Sequence, residues 1–504
     1  MAKRIPFEAT FTGQYNSRVT ESLTATTASG YVGIGIVGIM VVGDRSQTTD
    51  RDERYINCFL TKDGTKDYIV KRPGYDILNT PSAGNIGTAI HIWASSGSGN
   101  SVITAFGATN STIYSGTSSL GAITGKARGI SETFVGSNVA TLAIASTDST
   151  GWYYDVATGS ATKITDGDFP GNASQTTAGN FAHVDGYNLI MTTIQRLYAS
   201  DSNSITAWTS NSYDTANQIP GIGIGCVVWK NYVMAFSTNH VEFWTNAGLT
   251  PFPFQRSKSM TIKVGAVSSD AIATLSDNVF WAGSTEQGGI SIFQFDGAVR
   301  RISTPAQDYQ LLLAGTGNIS LTTERYFGKS FVVVVANTVT YVYCIEDQRW
   351  HERLSAIPLW YKSAGISTGT QLKTYSISKI STSGSVFVID PSAIVYTDNG
   401  TAFTSSAQSQ NKAYGNGNRV FFDELEIICD IQSSASNITI AYSDDDYQTF
   451  VTAGTIDASS QKKLFRLGCT RREYGNKRAW KISHSSATPM RIEKIVGQMT
   501  IGTS

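Results

Sequence analysis

Apolar and polar positions come in short alternating runs through the middle of the chain, and the runs are paired. An apolar strand, a polar turn and a second strand ending in an aromatic recur about every forty to fifty residues, from roughly residue 100 to residue 400. Residues 101–106 match 112–114, 139–145 match 151–155, 187–193 match 196–199, and 232–237 match 241–245. Further on, 278–283 match 289–295, and 374–380 match 386–389 ahead of Val395-Tyr396. The second strands carry Tyr114, Tyr154, Tyr198, Trp244 and Phe295 near their ends. That spacing predicts one four-stranded blade per repeat, and hence a β-propeller of six or seven blades. Val332-Val333-Val334-Val335 is apolar on both faces, as an inner strand of such a ring requires.

The flanks differ from the middle. Residues 1–50 read as an extended N-terminal arm rich in Thr, Ser and Gly. It contains the apolar run 31–43 (YVGIGIVGIMVVG), well short of the ~20 residues needed to span a bilayer. Residues 54–60 and 68–75 read as two strands around Asp63-Gly64, the second stopped by Pro73-Gly74. A polar break at 400–418 precedes strand patterns at 420–429, 437–442, 463–467, 478–483 and 491–501, which suit a small antiparallel sandwich. The expected organisation is therefore all-β. It comprises an arm at 1–50, a strand pair at 51–85 joining the arm to the propeller or to the C-terminal domain, a propeller at 86–410, and a β-sandwich-like domain at 411–504. No long stretch has helical periodicity.

Composition sharpens this. Lys plus Arg and Asp plus Glu are 39 each, so no net field draws the chain to nucleic acid or a membrane surface. Charged residues are only 15% of 504, and Gly, Ser, Thr and Asn fill the gap. The five cysteines, Cys58, Cys226, Cys344, Cys429 and Cys469, form no CxxC pair, which points to buried free thiols of a reducing compartment. The first residues lack the apolar run of a signal peptide.

Candidate chemistry is sparse. Ser443-Asp444-Asp445-Asp446-Tyr447-Gln448-Thr449-Phe450 has the residues of an Asp-box turn, with Tyr447 where Gly is usual. Its three carboxylates invite a calcium reading, but the Gly and distal Glu of an EF-hand loop are missing. Gly221-Ile222-Gly223-Ile224-Gly225 is followed by a strand pattern, so it reads as a blade-to-blade crossing instead of a dinucleotide loop. The histidines His91, His183, His240, His351 and His484 are scattered. The neighbours Asp423-Glu424 and Glu346-Asp347 cannot supply two carboxylates across a pocket between themselves. One basic concentration, from Lys462 to Lys481, alternates with apolar residues and suits either a solvated strand face or contact with an acidic partner or phosphates. No catalytic, cofactor-binding or metal-binding set is expected.

The ends and the middle together resemble one family. At the start the resemblance is carried by Ile5-Pro6-Phe7, Phe11 to Tyr15, Arg54 to Leu60 and Arg72-Pro73-Gly74-Tyr75. The middle adds Asp185-Gly186-Tyr187, Gly221 to Ser237, His240 to Gly248 and Arg300 to Thr304. At the end it rests on Phe422 to Glu426, Tyr442 to Asp446 and Leu467 to Arg478. In order and spacing these are similar to the tail hub, or nozzle, of short-tailed (podovirus-type) bacteriophages, also called the packaged DNA stabilisation protein. Two departures stand out: about thirty extra residues near 19–50, and Tyr447 in the Asp box. The resemblance implies a structural protein of the virion tail, made in the host cytoplasm and without enzymatic activity. It implies a homo-hexameric ring that extends the DNA channel below the portal and adaptor proteins and holds the packaged genome. Tail fibres or spikes, or a distal needle or plug, would dock on it, and double-stranded DNA would touch it transiently and without sequence preference. The competing expectations from the repeat alone are a propeller glycoside hydrolase or a lectin acting on host-surface glycans. A hydrolase predicts an Asp box in several blades, whereas the chain has one, outside the repeat.

Overall fold

The computed structural model describes residues 3–10, 53–63, 66–93, 101–135, 139–284, 288–337, 339–355, 361–368, 371–379, 382–411, 420–460, 464–472 and 477–501. Most of the expected arm, including the apolar run 31–43 and the extra residues 19–50, lies outside these. The chain divides into two compact units. One holds residues 76–340 and 357–393; the other holds 1–75, 341–356 and 394–504.

The first unit is a propeller. Seven inner strands occur among the described residues: Gly87–Trp93, Ala127–Val135, Thr177–Val184, Gly223–Trp229, Ile272–Leu275, Ile319–Tyr326 and Tyr361–Thr368. Each is followed by an antiparallel partner, and the first five open four-stranded sheets in strict sequence order. The expected hairpins are present in register: Ala105 faces Ile113, Leu142 faces Tyr154, Ile190 faces Tyr198, Met234 faces Phe243 and Trp281 faces Phe293. The inner strands of the first and second sheets pack side by side, as do those of the second and third, and of the third and fourth. The fifth packs on the sixth, the sixth on the seventh, and the seventh on the first. Aromatic residues of the second and third strands fill the space between sheets. Trp229, Phe236 and Phe243 of the fourth sheet share a core with Trp281, Phe293 and Phe295 of the fifth.

The ring closes with a borrowed strand. The seventh sheet runs Tyr361–Thr368, Gln371–Ser378, Val386–Ile389, and then Asp76–Asn79 from the beginning of the propeller. Closure joins the two ends of the unit, and the seventh sheet packs on both the sixth and the first. The expected boundary at 85/86 is therefore not where compactness divides the chain. Residues 76–79 are a propeller strand, and Val395-Tyr396 lies outside any strand.

One element was absent from the sequence reading. Pro305–Ala314 is a helix with a capping box: Thr304 accepts from the Gln307 amide while the Gln307 side chain accepts from the Thr304 amide, with Pro at the first helical position.

The second unit is a two-sheet sandwich built from distant segments. One sheet runs Cys58–Asp63, Lys66–Lys71, Arg491–Ile501, Val420–Cys429, Leu464–Arg472, with Lys3–Thr10 also paired to Arg491–Ile501. The other contains Arg349–Glu352, Arg54–Ile56, Ser405–Gln408, Ala479–His484, Asn437–Ser443 and Val451–Asp457 in that order. Their inner faces meet over Leu60, Ile69, Phe422, Leu425, Ile440, Trp480, Ile482 and Ile492. Among the described strands the sandwich is antiparallel except where Arg54–Ile56 runs parallel to Arg349–Glu352. The expected strand 54–60 is broken at Asn57, whose φ is 55°. Asn tolerates that left-handed turn, and through it the chain leaves one sheet for the other.

Candidate functional site

The ring axis of the propeller holds a cavity of about 270 Å³. Its wall comes from the inner strands, with Ala89, Gly129, Asn180, Cys226, Ile272 and Thr322 each from a different one. The strands approach closely because glycines face one another. A methyl group on Gly179 would lie 2.6 Å from the Gly225 Cα, and Gly179 has φ +73°. The charged groups at the wall are engaged. Arg128 donates to the Thr177 carbonyl at 2.6 Å and to the Thr147 carbonyl at 3.1 Å, and Lys379 pairs with Asp270 at 2.5 Å. Burial lowers the Arg128 guanidinium below its usual range and pushes the Cys226 thiol up to about 12. Cys226 is thus a neutral, poorly nucleophilic thiol.

The fourth sheet contains an arrangement that sequence reasoning missed. Ser237 Oγ lies 2.6 Å from His240 Nδ1, and His240 Nε2 lies 3.0 Å from Glu242 Oε1. The order Ser–His–Glu resembles a nucleophilic triad, but all three are buried, and Ser237 Oγ also receives the His240 amide at 3.1 Å. Glu242 further accepts from the Gln218 amide at 2.8 Å and from Arg256 at 3.4 Å. Burial alone would raise its carboxyl; the bonds from His240 and Gln218, with the Arg256 charge, outweigh that and hold it below the usual range. A nucleophile needs access to substrate, and this network instead pins a tight turn.

In the sandwich unit, buried charges join distant segments. Arg72 makes a two-pronged pair with Asp398 at 2.9 and 2.7 Å, with side-chain exposures of 1% and 0%. The same guanidinium donates to Asn57 Oδ1 at 3.0 Å and lies over the Phe403 ring at 3.8 Å. Next to it, Lys71 donates to the Ser486 carbonyl at 2.7 Å and sits 3.5 Å from His484 Nδ1. Burial, with the Arg72 charge beside it, pushes Lys71 down to about 8, and burial with Lys71 nearby pushes His484 down to about 4.

The Asp-box reading holds as a turn. Asp445 accepts from the Thr449 amide at 2.9 Å and from Ser443 at 2.7 Å, and Ser443 accepts from the Tyr447 amide at 3.0 Å. These hydrogen bonds, the one from the Thr449 hydroxyl foremost, hold the Asp445 carboxyl down at about 2. Tyr447 stands at φ 66° where glycine would be unstrained. The three carboxylates have three different partners: Asp444 takes Arg478, Asp445 caps the turn, and Asp446 accepts from Asn411 at 3.0 Å.

The basic stretch is corrected by the same site. Arg478 does not belong to a solvated face. It is 1% exposed, forks onto Asp444 at 2.8 and 2.6 Å, and lies over the rings of Tyr442 and Phe422. Lys481 is half-buried against Phe450, and Lys477 is exposed. Lys462 and Lys463 lie outside the described residues. Of the paired carboxylates, Asp423 accepts from Thr500 at 2.7 Å, while Glu346 and Asp347 lie 3.6 and 3.3 Å from the Cys344 thiol.

Comparison with known proteins adds a family. A family described as "Bacteriophage P22 Gp10, beta-propeller" matches residues 104–355, half of the chain. Among solved structures, BamB from Moraxella catarrhalis is similar at 11% identity over 68% of this chain and 97% of that one, with a TM-score of 0.37. No curated protein is significantly similar to the chain.

Proposed function

Since the chain belongs to the family of the bacteriophage P22 Gp10 β-propeller, a phage structural family of DNA stabilisation, we propose that it is the tail hub of a short-tailed phage. About six copies form a ring below the portal and adaptor proteins, continue the DNA channel, retain the packaged genome, and dock fibres, spikes or a distal plug. The observation that carries this reading is the family match across the propeller.

Three features of the molecule support it. First, the axial cavity of about 270 Å³ corresponds to a sphere roughly 8 Å across, narrower than the major groove of duplex DNA alone, which is about 12 Å wide. This supports a DNA path through a ring of several chains and not along the axis of one propeller. Second, equal numbers of acidic and basic residues suit a wall that must hold DNA and then release it. Many uncompensated phosphate contacts would bind the duplex strongly in ordinary salt. Third, several ionisable groups of the axial cavity and of the sandwich interior are engaged by protein partners, as a rigid scaffold requires.

The basic residues from Lys462 to Lys481, less Arg478, are the segment we propose for DNA or partner contact. The test is a mass measurement of the purified protein, alone and with a portal–adaptor complex. Assembly of about six copies on the portal is the expected result. A permanent monomer that cleaves or binds a surface glycan would replace the hub with the hydrolase or lectin reading.

A further inference from the structure

The first described strand, Lys3–Thr10, lies antiparallel along Arg491–Ile501, with Lys3 opposite Ile501 and Thr10 opposite Lys494. On that edge of Arg491–Ile501 the hairpin strand Lys66–Lys71 pairs only at Arg491 and Ile492. The opposite edge is filled by Val420–Cys429. Without Lys3–Thr10, a long edge of the sandwich from Lys494 to Ile501 is left open beside the finished core residues Ile495 and Met499. Such an edge is a template for another strand.

The register is selective. In that register the apolar positions Ile5, Phe7 and Ala9 fall opposite Met499, Gly497 and Ile495, and the partner positions Ile495 and Met499 belong to the sandwich core. The aromatic falls opposite the one position that lacks a side chain. Pro6 marks the strand as an edge: it has no amide to offer on, so it ends the sheet and does not extend it. The chain between Thr10 and Glu53, residues 11–52, could reach roughly 140 Å if extended. Connectivity therefore does not tie the strand to its own copy.

Resting on the ring reading above, we infer that Lys3–Thr10 is exchanged, so that each copy completes the Lys494–Ile501 edge of its neighbour. The occupant is this same segment from a second copy. Exchange keeps every pairing of the register and adds none that strains the fold, so its cost is low. Its consequence is mechanical: each joint of the ring then contains a backbone ladder, which must be sheared along its whole length before two copies separate.

The test uses full-length chains that each carry one new cysteine, Glu8→Cys in one preparation and Val496→Cys in the other, since these positions are directly opposite in the register. The two are mixed, assembled, oxidised and run without reductant. A covalent pair of about twice 54.2 kDa, absent when either variant is oxidised alone, is expected. The double variant should give a ladder up to the full ring. Rings that form normally, yet yield no linked pair from the mixture and only monomer-mass product from the double variant, overturn the exchange and leave the hub reading standing. Failure of the unmodified chain to form rings overturns both. A third chain lacking residues 2–10 should fold, by hydrogen exchange of the propeller strands, and form rings that fall apart at lower denaturant. Rings of unchanged stability would also overturn the inference.

Discussion

The propeller and the sandwich solve the same problem, a large all-β core, in opposite ways. In the propeller, each strand pairs with the next in sequence, and one local hairpin design is repeated with aromatic cores between neighbours. Among its described strands, only the closing one, Asp76–Asn79, comes from far away. In the sandwich, neighbours in a sheet come from opposite ends of the chain, as where Arg54–Ile56 pairs with Ser405–Gln408. Apolar surface alone does not say which distant strand belongs where, and buried charges supply some of that register: Arg72 with Asp398, and Arg478 with Asp444. The buried Ser237–His240–Glu242 network of the propeller lies within one sheet, whereas the Arg72–Asp398 pair of the sandwich joins segments 326 residues apart.

The largest expected effect breaks the sandwich alone. Asp398→Ala leaves Arg72 buried and unpaired, at a cost of about 4 kcal/mol. Hydrogen exchange should show deprotection of the sandwich strands with the propeller strands little changed. Replacing both partners with apolar residues of similar size should recover most of that loss. Equal deprotection in both units would show that they do not unfold separately.

Acid should sharpen the same contrast. His484 has its folded pKa lowered from 6.5 to about 4, so the unfolded chain binds its proton first. The stability it contributes is present above pH 6.5, is lost as pH falls to about 4, and changes no further below that. The total is about 3 kcal/mol, read as a falling denaturation midpoint for the sandwich strands. His351, held well below its usual value by burial, adds to the same unit. A midpoint independent of pH between 6.5 and 4 would contradict this. With His484→Gln the slope over that range should shrink.

The propeller has its own weak point where two backbones touch. Gly179→Ala forces a Cβ to 2.6 Å from Gly225 at a φ of +73°, and should cost about 2 kcal/mol. Here the propeller melts earlier and the sandwich does not, the reverse of Asp398→Ala. The smallest change is expected at the Asp box. Tyr447→Gly relieves a left-handed residue but loses the bond from its hydroxyl to the Ser409 carbonyl at 3.2 Å, so stability should rise by at most about 1 kcal/mol. A clear loss in the thermal midpoint would mean that the ring and hydroxyl contacts outweigh the strain.

Much of the propeller was legible because its information is local. A two-strand hairpin announces itself by alternation and a turn, and so do the strands at Val420–Cys429 and Arg491–Ile501. The outer blade strands were not legible. Thr162–Lys163 is two residues long, and Trp208–Thr215 is largely exposed and polar. The helix Pro305–Ala314 was too short for a periodic signal, although Thr304, Pro305 and Gln307 already spelled its cap. Val451–Asp457 was missed because its small and polar residues carry no alternation. The Ser237–His240–Glu242 network had a readable spacing, but nothing in the spacing says that it is sealed in a turn.

The sequence by itself determined the repeating hairpins, the all-β class and the Asp-box turn, since each rests on residues close together in the chain, and the likeness to a phage tail family, which rests on the order and spacing of short motifs. Only the tertiary structure decided that Asp76–Asn79 closes the ring, that Asn57 carries the chain between two sheets, and that Arg72 and Arg478 lie inside the sandwich. The physical reason is that alternation fixes which face of a strand is buried but not which strand lies beside it. The cost of closing a loop grows only slowly with its length, so partners hundreds of residues apart are chosen by the fit of cores and charges in the folded state.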